Sequence, residues 1–290
     1  MLAFGAGTGG VCGVEKKRRV FPGCCSGIAL LLALLFVLPA MGAEVVTISG
    51  AGGALAGVRL LAAAFEKTNP RNHVDVLPII GTQGSLRAVL AGKLDIGATG
   101  RPLTEEERKT GVVEIPFVRT PFVFGVHHDV KESDISLPEV IDIYGGRKTT
   151  WKDGSPIRLI MRHESESDLD ILRGISKELA VAVNSALRRE GMIFAVNDKE
   201  CLDLIESIPG SFGATTQTML TQEKREVRVL SLDGVAPGAK ALADGAYPYS
   251  KQYALVTMKT PSAPAQRFIG FVRSREGRSV LSRAGFVPGW

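Results

Sequence analysis

From Glu44 onward the chain alternates short β-branched runs with stretches of helical periodicity, punctuated by glycine and proline. Val45-Val46-Thr47-Ile48 predicts a strand ending at Gly50, and Leu55 to Lys67 predicts an amphipathic helix stopped by Asn69-Pro70. Val74 to Ile79 predicts a second strand, Ser85 to Ala91 a helix after Gly81, and Leu94 to Ala98 a third strand. Parallel strands need a crossover between them, and a helix supplies it, so a βαβαβ opening implies a mostly parallel, doubly wound α/β sheet. Ligands of such sheets lie at the carboxyl ends of the strands, where turns feed helix N-termini.

The pattern continues through the rest of the chain. Pro121 to His127 is apolar and extended, Leu137 to Tyr144 helical, and Ile157 to Arg162 a strand. Asp168 to Arg189 has the spacing of one long helix, weakened at Gly174. Strands are predicted at Val227 to Leu232 and Tyr253 to Thr257, then a terminal helix from Ala263 to Ala284. The 247 residues after position 43 suit two lobes of roughly 125 residues each.

The first 43 residues have another character. Lys16 to Arg19 form a cationic stretch, Ile28 to Leu38 an unbroken apolar run, and Pro39 to Ala43 a small-residue exit. That run is too short to span a bilayer comfortably, so residues 1–43 are expected to be a cleaved export signal. Pro22-Gly23-Cys24-Cys25 is unlike the residues that ordinarily succeed a twin-arginine pair, so the general secretory route is expected. Four of the 35 basic residues and one of the 30 acidic ones lie in this segment, which leaves 31 against 29. That balance gives no reason to expect a nucleic-acid partner. Three of the four cysteines also lie there, so the exported chain keeps Cys201 and forms no internal disulfide.

Three segments repeat one design of strand, small-residue turn and helix start. They are Ser49-Gly50-Ala51-Gly52-Gly53, Gly81-Thr82-Gln83-Gly84-Ser85 and Arg162-His163-Glu164-Ser165-Glu166-Ser167. A helix N-terminus presents unpaired N–H groups and partial positive charge, and glycine lets an anion approach them. The candidate ligand residues are therefore Ala51, Gly52, Gly53, Thr82, Gln83, Gly84, Ser165 and Ser167, with Arg101 and Arg162 as cationic partners. Charge-assisted hydrogen bonds from the arginines contribute about 1.5–3 kcal/mol each, and micromolar capture needs about 8 kcal/mol.

At these residues the chain resembles the phosphate-binding proteins of phosphate ABC transporters, a family of type II periplasmic binding proteins. The likeness runs from about Val45 to Pro288, through Gly50-Ala51-Gly52, Gly81-Thr82-Gln83-Gly84, the run from Asp95 to Leu103, and Ile143-Tyr144-Gly145-Gly146. It continues through Trp151-Lys152-Asp153-Gly154, Arg162, Pro209-Gly210-Ser211-Phe212-Gly213, Tyr247-Pro248-Tyr249-Ser250 and Gly285-Phe286-Val287-Pro288. The resemblance implies two lobes, 44–124 with 252–290 and 125–251, crossing near Phe122–Val126 and Tyr249–Ala254. It implies a periplasmic or otherwise extracytoplasmic monomer that binds inorganic phosphate or a related oxyanion for an ABC transporter membrane permease, without cofactor or metal. It places Thr82 at a ligand hydroxyl position and Arg162 with Ser165 at the second-lobe anchor. Arg162→Ala is expected to remove stabilisation by ligand and to spare the empty fold.

The chain departs from the family at several positions. Ala54 replaces a ligand threonine, and Gly100 replaces an aspartate that accepts the proton of hydrogen phosphate, with Arg101 beside it as in a Ser-Arg variant. Without that acceptor, sulfate is expected to compete. Ser165-Glu166-Ser167 replaces a Ser-Gly-Thr turn, and Glu164 and Asp168 flank it; Ser165 to Asp168 fits a helix-capping pattern.

An anion sensor reporting to a membrane receptor or kinase would share this site, and a scaffold that has lost its ligand would share the fold. A phosphate-ester hydrolase would need a metal cluster or an activated nucleophile. No serine occupies a nucleophile elbow, and His73, His127, His128 and His163 show no metal-ligand spacing with a carboxylate. His127 and His128 are expected on opposite faces of a strand. The chain is therefore expected not to be an enzyme.

Overall fold

The computed structural model describes residues 44–164 and 166–289; the expected export segment and Ser165 lie outside them. Strand β1 (Glu44–Gly50) buries Val46 and Ile48 and exposes Val45, the two-residue period of a half-covered strand. Helix α1 (Gly52–Thr68) lays Leu55, Val58, Leu61, Ala62 and Phe65 on the sheet. Next come β2 (Asn72–Val76), α2 (Gly81–Leu90), β3 (Ile96–Thr99) and α3 (Glu105–Lys109). β3 is buried at all four residues because it lies inside the sheet.

The 15-residue β4 (Val112–Val126) carries the chain onward. After it come β5 (Asp134–Ile135), α4 (Leu137–Gly145), β6 (Arg158–Arg162), α5 (Ser167–Ile175) and α6 (Lys177–Ala186). β7 (Ile193–Ala195), α7 (Asp198–Ser207), β8 (Ser211–Thr216), α8 (Gln217–Glu223), β9 (Arg228–Val229), β10 (Ser231–Leu232) and α9 (Ala239–Ala243) follow. The chain returns through β11 (Ser250–Met258) and ends with α10 (Ala263–Arg273), α11 (Arg275–Arg283) and β12 (Val287–Pro288).

The strand order is β2-β1-β3-β11-β4-β8-β6-β7. β1 is parallel to β2 and β3, and β6 is parallel to β7 and β8. β4 joins the two halves. Its residues from Val112 to Pro121 pair with β11, and those from Phe122 to Val126 pair with β8. Two apolar cores lie on either side of that change of partner. One contains Ile48, Leu55, Phe65, Phe117, Leu255 and Phe268; the other contains Phe124, Tyr144, Leu169, Phe212 and Tyr247. Full burial of a large apolar side chain contributes about 1.5–3 kcal/mol, so each half holds its own driving force. These are the two α/β lobes, with β4 and the start of β11 as the connecting strands.

The structure shifts several expected boundaries. α1 begins at Gly52 and α2 at Gly81, so the small residues read as turns are the first helical turns. β2 stops at Val76, two residues before Pro78, which cannot donate to a ladder. The predicted helix from Asp168 to Arg189 is two helices, and so is the one from Ala263 to Ala284. Ser176 and Ser274 are extended and accept from the N–H groups of Leu179 and Gly277, so each caps a new helix. The strand expected at Val227 to Leu232 splits, since β9 pairs with β4 and β10 with β5. β4 ends before His127, so the two histidines are not on opposite strand faces: their ring centroids are 3.9 Å apart. Together with Asp129 they bring ligand-type atoms within 4.8 Å of one another, a grouping the sequence spacing did not suggest. The Asp129 amide already donates to His127 Nδ1 at 3.2 Å.

Candidate ligand-binding cleft

The N-termini of α1 and α2 in one lobe and of α5 in the other open onto one cleft of about 1020 Å³. Their N-cap residues, Ala51, Ile80 and Glu166, provide no side-chain cap. By contrast, Thr104, Ser136, Asn197 and Ser262 all cap their own helices. First-turn amides without such acceptors are ready donors to an anion.

Three helix starts converge on Gly100. A Cβ built there would lie 3.4 Å from Ala51 Cβ, 3.4 Å from Ser167 Oγ and 3.6 Å from Thr82 Oγ1. Those neighbours come from the starts of α1, α5 and α2, so both lobes meet at this point. The Gly100 N–H donates to Thr82 Oγ1 at 2.9 Å, which leaves the hydroxyl hydrogen of Thr82 free to donate elsewhere.

Of the residues singled out from sequence, Ala51, Gly52, Thr82, Gln83, Gly84, Arg101 and Ser167 line the cleft. Gly53 does not. It is buried against Tyr253, whose hydroxyl would stand 2.2 Å from an added Cβ, so glycine is needed there for packing of α1 on β11. Gln83 and Arg101 line the wall but are engaged with Glu107. Arg101 holds that carboxylate through two bonds of 2.8 Å, and Gln83 Nε2 donates to it at 2.9 Å.

Arg162 is the larger departure. It is 2 % exposed and belongs to a buried ionic cluster. Nη2 donates to Glu166 Oε2 at 3.0 Å, and Nη1 to Asp198 Oδ1 at 2.9 Å with Asp168 Oδ2 at 3.4 Å. Lys251, also buried, donates to Asp168 Oδ1 and lies 3.9 Å from Asp198 Oδ1. Burial opposes the charge of Arg162 and of Lys251, but the carboxylates of Asp168 and Asp198 outweigh it and raise both above their ordinary values. Burial likewise opposes ionisation of Asp198, yet Lys251 and Arg162 hold its carboxyl below the usual range. Arg162, Lys251 and Asp198 keep their charges because each has a partner of opposite sign.

The flanking carboxylates diverge. Glu164 is exposed, Glu166 lines the cleft, and Asp168 is wholly buried. Glu166 is the N-cap of α5 and makes no side-chain cap bond; the expected capping pattern begins at Ser165, which lies outside the described residues.

Asp198 and Lys251 escaped the sequence reading. Asp198 follows a fourth strand-to-helix turn, β7 to α7, which was not recognised because β7 has three residues. Lys251 is the lone charged residue of β11, just before the apolar stretch Tyr253 to Val256, and that position was the available signal. Cys201 is buried, with its Sγ 3.5 Å from the Ala214 carbonyl; burial pushes its thiol up to about 12, which makes it inert.

Two α/β lobes with crossing strands and an interlobe cleft at helix N-termini define a type II periplasmic-binding-protein fold. The family model described as a PBP superfamily domain matches residues 39–276, and the chain belongs to that superfamily. The phosphate-binding protein PstS of Bacillus subtilis is 26% identical over 249 residues, covering 83% of this chain and 80% of that protein. PstS of Borreliella burgdorferi is 22% identical over 200 residues, covering 66% and 71%. Among solved structures, a Clostridium perfringens protein assigned as a phosphate ABC transporter substrate-binding protein, with bound phosphate, superposes with a TM-score of 0.72. It is 20% identical, covering 84% of this chain and 99% of that one. A Vibrio cholerae ABC-type phosphate transport receptor gives 0.62 at 16% identity, covering 84% and 99%.

Proposed function

We propose that the chain is an extracytoplasmic solute-binding protein that captures phosphate or a similar oxyanion between its lobes and delivers it to an ABC permease. The observation that carries this is the convergence of Ala51, Thr82 and Ser167 on Gly100, which joins three uncapped helix starts from two lobes. The names of the relatives point to the same ligand class. The ligand set is Ala51, Gly52, Thr82, Gly84 and Ser167, to which the sequence adds Ser165, with Arg162 acting through the cluster behind them.

The lobes comprise 44–124 with 252–290 and 125–251, and they close over the ligand as a monomer. Export by the N-terminal signal accords with this role, and no helix among the described residues is long and apolar enough to cross a membrane. Thermal unfolding of ligand-stripped protein against phosphate, arsenate, sulfate, molybdate and tungstate tests the proposal. A saturable rise in Tm with phosphate is expected; no shift with any oxyanion would overturn it.

A further inference from the structure

Strand β4 ends at Val126 and runs into a tight turn, His127-His128-Asp129-Val130, none of whose residues lines the cleft. The turn is pinned at both ends. The His127 N–H donates to the Ser211 carbonyl at 3.4 Å, and the Val130 N–H donates back to the His127 carbonyl at 3.1 Å. Arg228 donates to the Val130 carbonyl, and the Val130 side chain is buried. His127 is itself 4 % exposed, whereas His128 and Asp129 keep more than half of their side chains in solvent. One imidazole is therefore fixed from within, and its two neighbours are open to an incoming ion.

A hydrogen bond sets the tautomer of His127. The Asp129 amide donates to Nδ1 at 3.2 Å, so Nδ1 carries a lone pair and the proton of the neutral ring sits on Nε2. Asp129 Oδ2 stands 3.5 Å from that same Nδ1, and Asp129 Oδ1 stands 3.3 Å from His128 Nε2. An unprotonated nitrogen facing a carboxylate oxygen calls for positive charge between them, which one amide hydrogen meets only in part. The spacing is that of a coordination shell. Zinc bonds of about 2.0–2.2 Å in a tetrahedron hold neighbouring ligand atoms roughly 3.3–3.6 Å apart. Both separations fall in that range, and ligand atoms of all three residues lie within 4.8 Å of one another. Two imidazoles and one carboxylate suit zinc, copper or nickel, whereas magnesium and calcium favour shells of oxygen.

We propose that His127 Nδ1, His128 Nε2 and the Asp129 carboxylate form a zinc(II) site at the end of the connecting strand, separate from the oxyanion cleft. The ion takes over the lone pair that otherwise receives the Asp129 amide, and the exposed side of the turn leaves its fourth position to water. The site does not depend on what the cleft binds.

Isothermal titration of untagged, chelator-stripped exported protein with zinc chloride in phosphate-free buffer tests this. Saturation at one zinc per chain is expected, with magnesium binding at least about 100-fold more weakly. His128→Ala and Asp129→Asn should each weaken zinc binding by at least about tenfold. Both side chains are exposed, so the zinc-free variants should melt with the wild type, and circular dichroism checks that they do. Phosphate titrations of zinc-free and zinc-loaded protein should agree within about twofold. No zinc binding by the wild type, or undiminished affinity in both folded variants, overturns the site. Magnesium bound as tightly as zinc overturns the ligand chemistry assigned to it. A larger effect of zinc on phosphate affinity overturns the separation of site and cleft.

Discussion

The Arg162 guanidinium and the Asp198 carboxylate meet at 2.9 Å inside the protein, with Arg162 almost wholly removed from solvent. The arginine therefore neutralises buried carboxylates. Arg162→Ala would leave two buried carboxylates, Asp168 and Asp198, with Lys251 as their one remaining cation, at a cost of about 3–5 kcal/mol. Ligand-free protein should lose Tm as well as affinity, which reverses the expectation that the empty fold is spared. Chemical denaturation of the stripped variant decides the matter: unchanged stability would mean that Arg162 is free to serve the ligand alone.

Lys251 and Asp168 form the second buried pair of the cluster. Lys251→Met alone should destabilise by about 3–5 kcal/mol, because it removes the hydrogen-bonded partner of Asp168 and leaves Arg162 alone to balance two buried aspartates. Adding Asp168→Asn should restore part of the loss, giving a coupling of at least about 1 kcal/mol in a double-mutant cycle. Additive effects would show that the two side chains do not interact.

Two glycines should respond in opposite ways. A Cβ on Gly50 would lie 1.9 Å from the Ala98 carbonyl oxygen, so Gly50→Ala cannot be accommodated without parting β1 from β3. It should cost at least about 1–3 kcal/mol. The nearest atoms to a Cβ on Gly100 are 3.4 Å away. Gly100→Ala should leave stability within about 0.5 kcal/mol, yet weaken oxyanion binding by occupying the meeting point of the three helix starts. Denaturation and titration of both variants check the contrast, and a destabilised Gly100→Ala or intact phosphate affinity would contradict it.

Acid should weaken the fold through two exposed-side networks. The Arg101 hydrogen bonds bring Glu107 from its ordinary 4.5 to about 2, and the Lys148 hydrogen bond does the same for Glu139. Both carboxylates are held more acidic in the folded chain than in the unfolded one. Their contribution is complete above about pH 4.5 and is lost as pH falls toward about 2. The Tm of Glu107→Gln/Glu139→Gln should fall less over that interval than that of the wild type, as followed by circular dichroism; parallel curves would show that neither group contributes to acid sensitivity.

The lobed α/β fold was legible because apolar periodicity and the Gly and Pro punctuation report burial locally. Val46 and Ile48 face inward as the alternation requires, and Leu55, Val58 and Phe65 form the predicted helical stripe. The breaks at Ser176 and Ser274 were not legible, since apolar spacing continues across both and only cap geometry interrupts the helices. In the cleft, the helix starts at Ala51, Thr82 and Ser167 could be read from glycine and hydroxyl motifs. The ionic cluster could not. It joins Arg162, Asp168, Asp198 and Lys251 from four separate elements, and no spacing along the chain encodes a meeting of that kind.

The most direct test of oxyanion capture is isothermal titration of the ligand-stripped chain with inorganic phosphate. Saturation at one phosphate per chain, weakened by Gly100→Ala in a protein that still melts like the wild type, is the predicted result. Heat-silent titration, with no binding of phosphate by an independent equilibrium dialysis, would contradict oxyanion capture.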